Sequence, residues 1–309
     1  MARLLAAPLL AGLILVACGS TDTASPAAPN ITVLPSPTAP PLPTGSPTTS
    51  PPETSAPTTV PVGTAPRPAV HTVVASHPHD TDAFTQGLIF WADRFVESTG
   101  RRGDSDLRVV DPDSGYVAES RSLDSPDLDD LRDDFEIEDQ FFGEGLARVD
   151  DRLIQLTWTS ELALVWDLST LELEEVFTYS GQGWGLCHDG SRVVMSDGSS
   201  VLTFRNPQTF DPIGTVEVTW AGTPIGSLNE LECVDGRVWA NIWKDNRIVI
   251  IDPATGAVTH VLSASDLVPP GLDGGSEVLN GIAHDPATGR IWVTGKNWPA
   301  LYELSVELG

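Results

Sequence analysis

The chain has 309 residues, with 43 Asp and Glu against 17 Lys and Arg and a net charge of -26. So acidic a surface excludes nucleic acid and anionic lipid headgroups as partners and favours solubility. Three cysteines and six scattered histidines leave little material for a metal centre.

The opening MARLLAAPLLAGLILVAC holds one Arg, an apolar run and then LVAC. It reads as a secretory signal over residues 1–17, too short and too closely followed by polar sequence for a spanning helix. LVAC resembles a bacterial lipobox, which implies lipidation of Cys18 and an extracytoplasmic domain tethered to the cell membrane. The plain alternative is an ordinary cleaved signal with a chance cysteine. Residues 18–70 are rich in Pro, Thr, Ser and Ala, with 14 of the 26 prolines between Pro26 and Pro68. Such composition cannot bury a core and reads as a disordered spacer. Residues 71–309 suffice for one domain with a substantial core.

That domain repeats itself. Five segments start alike: FTQGLIF from Phe84, FGEGLAR from Phe142, GWGLCHD from Gly183, LNELECVD from Leu228 and LNGIAHD from Leu279. Their polar or aromatic starts are Gln86, Glu144, Trp184, Glu230 and Asn280, at intervals of 58, 40, 46 and 50 residues. Each start leads through a tight turn (WAD, VDD, HDGS, VDG or DPATG) into a second apolar segment. These segments are RFVEST, RLIQLTW, RVVMSDG, RVWANIW and RIWVTGK. A third strand follows in all five repeats and a fourth (VAESRSL, EEVFTYS, GTVEVTW, VTHVLSA) in four. HTVVASHP, residues 71–78, has the length to supply the missing fourth strand of the last repeat. The expectation is an all-β, five-bladed β-propeller closed by an N-terminal strand, on which five unlike side chains converge. The first interval is long because of SPDLDDLRDDFEIEDQ, residues 125–140, which reads as a solvated insertion. Cys187 and Cys233 each lie three residues after a polar start, so a disulfide between neighbouring inner strands is expected.

HDTDAFTQGL, VEST, FGEGL, LTW, GWGL, SDGS, LNELE, VWANIW, LNGIAHD and VTGKNWPALYEL, in this order, resemble the plant- and bacterial-type glutaminyl-peptide cyclotransferases. The resemblance spans the domain and implies a five-bladed propeller that turns N-terminal glutamine into pyroglutamate and releases ammonia. The two cysteines and the Asp-rich insertion depart from the general pattern without touching its motif positions.

That reaction needs a group to take a proton from the substrate amine and pass one to ammonia, donors for an oxyanion, and apolar walls. Glu144, among apolar and aromatic residues, is the candidate shuttle on both the residues and the resemblance; the alternative is a Glu that fixes bonds between blades. Glu230 is the rival. Lys296 suits the oxyanion or the charge of Glu144. By resemblance Gln86 and Asn229 line the pocket, with Trp158, Trp184, Trp243, Phe84 and Phe142 as walls; otherwise these serve backbone or core. HPHD, residues 77–80, is the one histidine cluster and an alternative metal site. No cofactor is expected, a structural calcium in the channel is left open without ligands to name, and a monomer that acts on N-terminal Gln peptides is expected. The competing class is a non-catalytic propeller that binds peptides or protein partners.

Overall fold

The computed structural model describes residues 63–137, 140–272 and 275–309. The signal, Cys18 and the spacer up to residue 62 lie outside the described residues.

Five blades of four antiparallel strands follow one another, three as separate sheets and the last two joined into one eight-stranded sheet. Blade 1 comprises Thr85–Trp91, Arg94–Thr99, Asp106–Val110 and Val117–Ser122. Blade 2 comprises Gly143–Val149, Arg152–Thr157, Leu162–Asp167 and Leu173–Thr178, and blade 3 Leu186–His188, Val193–Met195, Val201–Arg205 and Pro212–Glu217. Blade 4 comprises Leu228–Val234, Arg237–Ile242, Arg247–Ile251 and Val258–Ser263. Blade 5 comprises Leu279–Asp285, Arg290–Gly295 and Ala300–Leu308, with Arg67–Pro78 antiparallel to its last strand. The two-residue turns hold because Ala92 and Asp93, and likewise Asp235 and Gly236, take positive φ, as the tightest hairpins require.

Burial explains the strand chemistry. Second and third strands such as RLIQLT and RIVII are buried nearly throughout, between the faces of neighbouring blades, and read as apolar runs. Fourth strands such as VAESRS are mostly exposed and polar. The inner strands pack closely: a Cβ on Gly185 would lie 2.0 Å from the Asn229 carbonyl oxygen, and one on Gly87 2.6 Å from the Leu146 nitrogen. Glycine at these two positions is therefore what lets the neighbouring inner strands approach so closely.

Three expectations need correction. The closing strand begins at Arg67 rather than residue 71; Arg67–Ala69 also pairs in parallel with His260–Leu262 of blade 4, and buried Ala69 packs with Leu262 and Leu304. Thr219–Trp220 is not the end of a fourth strand but half of a small hairpin with Thr223–Pro224. The acidic insertion is not wholly solvated: it forms a one-turn 3-10 segment, Pro126–Leu128, and a short helix, Asp129–Asp134. Leu128 is buried against the core between blades 1 and 2, because four apolar side chains interrupt the carboxylates of that run.

Candidate functional site

The polar starts sit where the ladders break. Pairing of the first two strands shifts between Thr85 and Gly87, Gly143 and Leu146, Leu228 and Leu231, and Leu279 and Ile282. Each irregularity frees the residues between to turn away from the sheet, as bulges commonly do. At the same end of the ring lies a cavity of about 510 Å³. Gln86 from blade 1, Glu144 from blade 2, Trp184 from blade 3 and Asn229 from blade 4 line it, with Lys296 after the second strand of blade 5.

In blade 4 the cavity residue is thus Asn229, not Glu230. Aligned on the apolar residue that follows (Leu88, Leu146, Leu186, Leu231, Ile282), Glu230 occupies the position of Gly87, Gly145, Gly185 and Gly281. Its Oε2 accepts from the Ile282 amide at 2.9 Å, and the Leu88 amide also bonds its carboxyl. Glu232 accepts from the His284 amide at 3.1 Å. Both carboxyls bond inner-strand amides of other blades, and Glu230 does not line the cavity. Burial raises Glu230 well above the ordinary value, with Glu232 adding to it, and raises Glu232 to about 8. In blade 5, Asn280 stands behind the cavity: its Nδ2 donates to the Thr85 carbonyl at 2.8 Å and to Gln86 Oε1 at 3.1 Å.

These contacts divide the amides by role. With its oxygen held by Asn280, Gln86 has its Nε2 left to donate into the cavity. Asn229 Oδ1 is buried without a partner among the described residues and is left to accept. A substrate N–H within reach would satisfy this acceptor.

Glu144 is 5 % exposed. No hydrogen bond engages its carboxyl among the described residues. Burial pushes it well above the usual carboxylate range, opposed in part by the nearby Lys296 ammonium. Burial pulls Lys296 down to about 8, opposed by Glu144. Lys296 Nζ lies 4.7 Å from the Phe84 ring centroid, a cation–π contact that partly replaces lost hydration.

The walls are aromatic and interlocked. Phe84 meets Phe142 edge-on at 6.2 Å, Phe142 meets Trp158 at 5.6 Å, and Trp184 meets Trp243 at 5.7 Å. All nine residues expected at the site therefore line one cavity. Three features escaped the sequence. Gln182 Oε1 accepts from both Trp158 Nε1 at 2.8 Å and Trp184 Nε1 at 2.9 Å, bracing two walls. Lys244 and the 275–276 Gly-Ser pair also line the cavity. Gln182 and the Gly-Ser pair sit in loops without periodicity, whereas Lys244 was findable as one of the chain's two lysines.

Segment 79–86 is clamped to the loop that carries Lys296. The Asn297 amide donates to the Ala83 carbonyl and its side-chain Nδ2 to the Thr81 carbonyl. Buried His79 donates from Nδ1 to the Trp298 carbonyl at 2.8 Å and from Nε2 to Glu97 at 3.0 Å, which requires both nitrogens to carry protons. Burial lowers this imidazole, yet Glu97 outweighs that, and the net displacement is upward. Glu97, also held by Arg108 and Thr85, falls to about 2 despite its burial. His77 packs on Trp292 at 5.1 Å. HPHD is thus a packing and ion-pair element, and among the described residues no group of three His, Cys, Asp or Glu is placed to hold a metal ion. The Cys187–Cys233 disulfide forms as expected, with the Cα atoms 5.5 Å apart, and ties blade 3 to blade 4.

A family model described as glutamine cyclotransferase matches residues 48–306. A glutaminyl-peptide cyclotransferase of Arabidopsis thaliana is 37% identical over 240 residues, spanning 76% of this chain and 71% of the relative. The crystal structure of Myxococcus xanthus glutaminyl cyclase superposes with a TM-score of 0.71 at 39% identity, covering 79% of this chain and 99% of that one.

Proposed function

The chain belongs to the glutamine cyclotransferase family and cyclises the N-terminal glutamine of peptides to pyroglutamate with release of ammonia, and we propose that Glu144 moves the proton in that reaction. The observation that carries this role is a buried carboxyl, free of protein hydrogen bonds, in an aromatic cavity beside a buried lysine.

The substrate's α-amine attacks its own γ-carboxamide carbon. Holding the bent conformer between Trp158, Trp184 and the Phe84–Phe142 pair supplies much of the rate, since both reacting groups belong to one residue. As the C–N bond forms, the Glu144 carboxylate takes a proton from the attacking nitrogen. Glu144 returns it to the departing amide nitrogen, the old C–N bond breaks, and ammonia leaves. Its raised pKa suits both steps: it is a stronger base than an ordinary carboxylate when it takes the proton, and it holds that proton until the amide nitrogen departs. The Lys296 ammonium and the Gln86 amide nitrogen are the donors assigned to the carbonyl oxygen as it gains charge. Asn229 Oδ1 accepts from the substrate amine and so aims its lone pair. No cofactor enters the proposal.

We also place the enzyme outside the cytoplasm, on a lipid at Cys18. The support is the LVAC sequence and the Cys187–Cys233 disulfide, a bond at home in oxidising compartments. The reaction is tested by ammonia release from a Gln-initiated peptide, beside the same peptide acetylated at its N-terminus. Release from the free peptide alone is expected; release from neither overturns the reading.

A further inference from the structure

The 309-residue chain contains two lysines, Lys244 and Lys296, and both line the same cavity. The cavity of a chain with net charge -26 thus gathers both of its lysine ammonium groups. Lys296 is buried at the floor with Glu144, Gln86 and Asn229. Lys244 is different: it is exposed at the rim, next to Trp243, which is itself 41% exposed. Lys244 takes a positive φ of 62° in a turn closed by the Asp245 amide on the Ile242 carbonyl. Its Nζ lies 4.5 Å from the Trp243 ring centroid. No carboxylate pairs with it among the described residues. The adjacent Asp245 is taken by Arg247, whose Nε donates to it at 2.8 Å.

The reaction itself says what reaches this lysine. Ring closure uses the amine and the carboxamide of the first residue, so both ends of that glutamine sit at the buried floor. Its α-carbonyl continues the peptide, which must leave across the exposed rim. An unpaired ammonium fixed over an indole there suits a carboxylate, and an acidic chain has reason to offset its own repulsion of acidic peptides at the mouth. Resting on the cyclase reading above, we propose that Lys244 is a specificity-determining residue that recognises a carboxylate on the substrate residue following the glutamine. Two sources supply that group: the side chain of Asp or Glu in a longer peptide, and the terminal carboxylate of a dipeptide.

The test compares kcat/KM for Gln-Ala-amide, Gln-Glu-amide, Gln-Lys-amide and the free acid Gln-Ala, in the native domain and in Lys244→Met and Lys244→Glu. The native domain is expected to prefer a carboxylate-bearing peptide to Gln-Ala-amide by about 1.5- to fivefold at low salt, the range of a solvent-exposed ion pair, chiefly through KM. High salt should erase the preference. Lys244→Met should bring the ratio to about one, and Lys244→Glu should transfer the preference to Gln-Lys-amide. A preference for Gln-Glu-amide alone assigns the side chain; a preference for Gln-Ala acid alone assigns the terminus. Equal values for all four peptides in the native domain, or a preference that survives in Lys244→Met, would overturn the proposal and leave the cyclase reading intact. Ammonia from no peptide would instead sink the cyclase reading, and this proposal with it.

Discussion

Replacing Lys296 by Arg separates the charge at the cavity floor from its titration. Burial holds the Lys296 ammonium at about 8 rather than 10.5, with Glu144 opposing the drop. The oxyanion role requires the charged form, so activity is lost as pH rises through that value. One pH unit above it about a tenth of the lysine remains charged, and kcat/KM should be down about tenfold from its plateau. Arginine stays protonated to beyond about pH 12. Lys296→Arg should therefore remove the alkaline limb while lowering the plateau, because a planar guanidinium does not reproduce a point charge. Lys296→Met should also remove the limb, with kcat down by about a hundredfold. In that variant Glu144 loses the one neighbour that lowers its value, and the acid limb should move up. The assay is initial ammonia release from a Gln-initiated peptide across pH, with circular dichroism to confirm folding. The substrate amine titrates near 8 as well, but its deprotonation raises the rate and is common to all variants. An alkaline limb at the same position in Lys296→Arg would refute the assignment.

Two further expectations concern the scaffold. The Cys187–Cys233 bond closes a loop with a sequence separation of 46, worth about 4 kcal/mol in chain entropy, so Cys187→Ala with Cys233→Ala should lose about that much in urea unfolding; a loss below about 1 kcal/mol would contradict it. The His79–Glu97 pair should give a pH window of stability. Glu97, lowered from 4.5 to about 2, contributes above 4.5 and loses that contribution as pH falls toward 2, on the order of 3 kcal/mol. His79, raised from 6.5, contributes fully below 6.5 and loses it as pH rises through its elevated value. Glu97→Gln should flatten both limbs of the denaturation-against-pH curve, and a curve of native shape in that variant would rule the pair out.

Much of this was legible because a propeller writes its symmetry into the chain. Repeated polar starts, tight turns and one missing strand were enough for five blades, the closing strand and the disulfide. The starts announced a convergence because a polar residue at the end of an inner strand has nothing but the cavity or a neighbour to serve. The register failed by one in blade 4, where the repeated Gly is replaced by Glu230. There the sequence shows two polar residues in succession, and only the positions of the Ile282 and Leu88 amides decide which of them turns inward. Leu128 escaped because a run of carboxylates masked its apolar side chains. Gln182 and Ser276 escaped because their loops carry no period, and the ring alone brings them to the site.

Glu144→Gln tests the central claim most directly. The change keeps shape and volume and removes the ionisable carboxyl that takes up and releases the proton. With a Gln-initiated peptide at neutral pH, the folded variant should release ammonia at least about a hundredfold more slowly in kcat than the native domain, the usual range for a general acid–base group. A folded variant that keeps most of the native kcat would contradict the account and leave the reaction in need of another proton carrier.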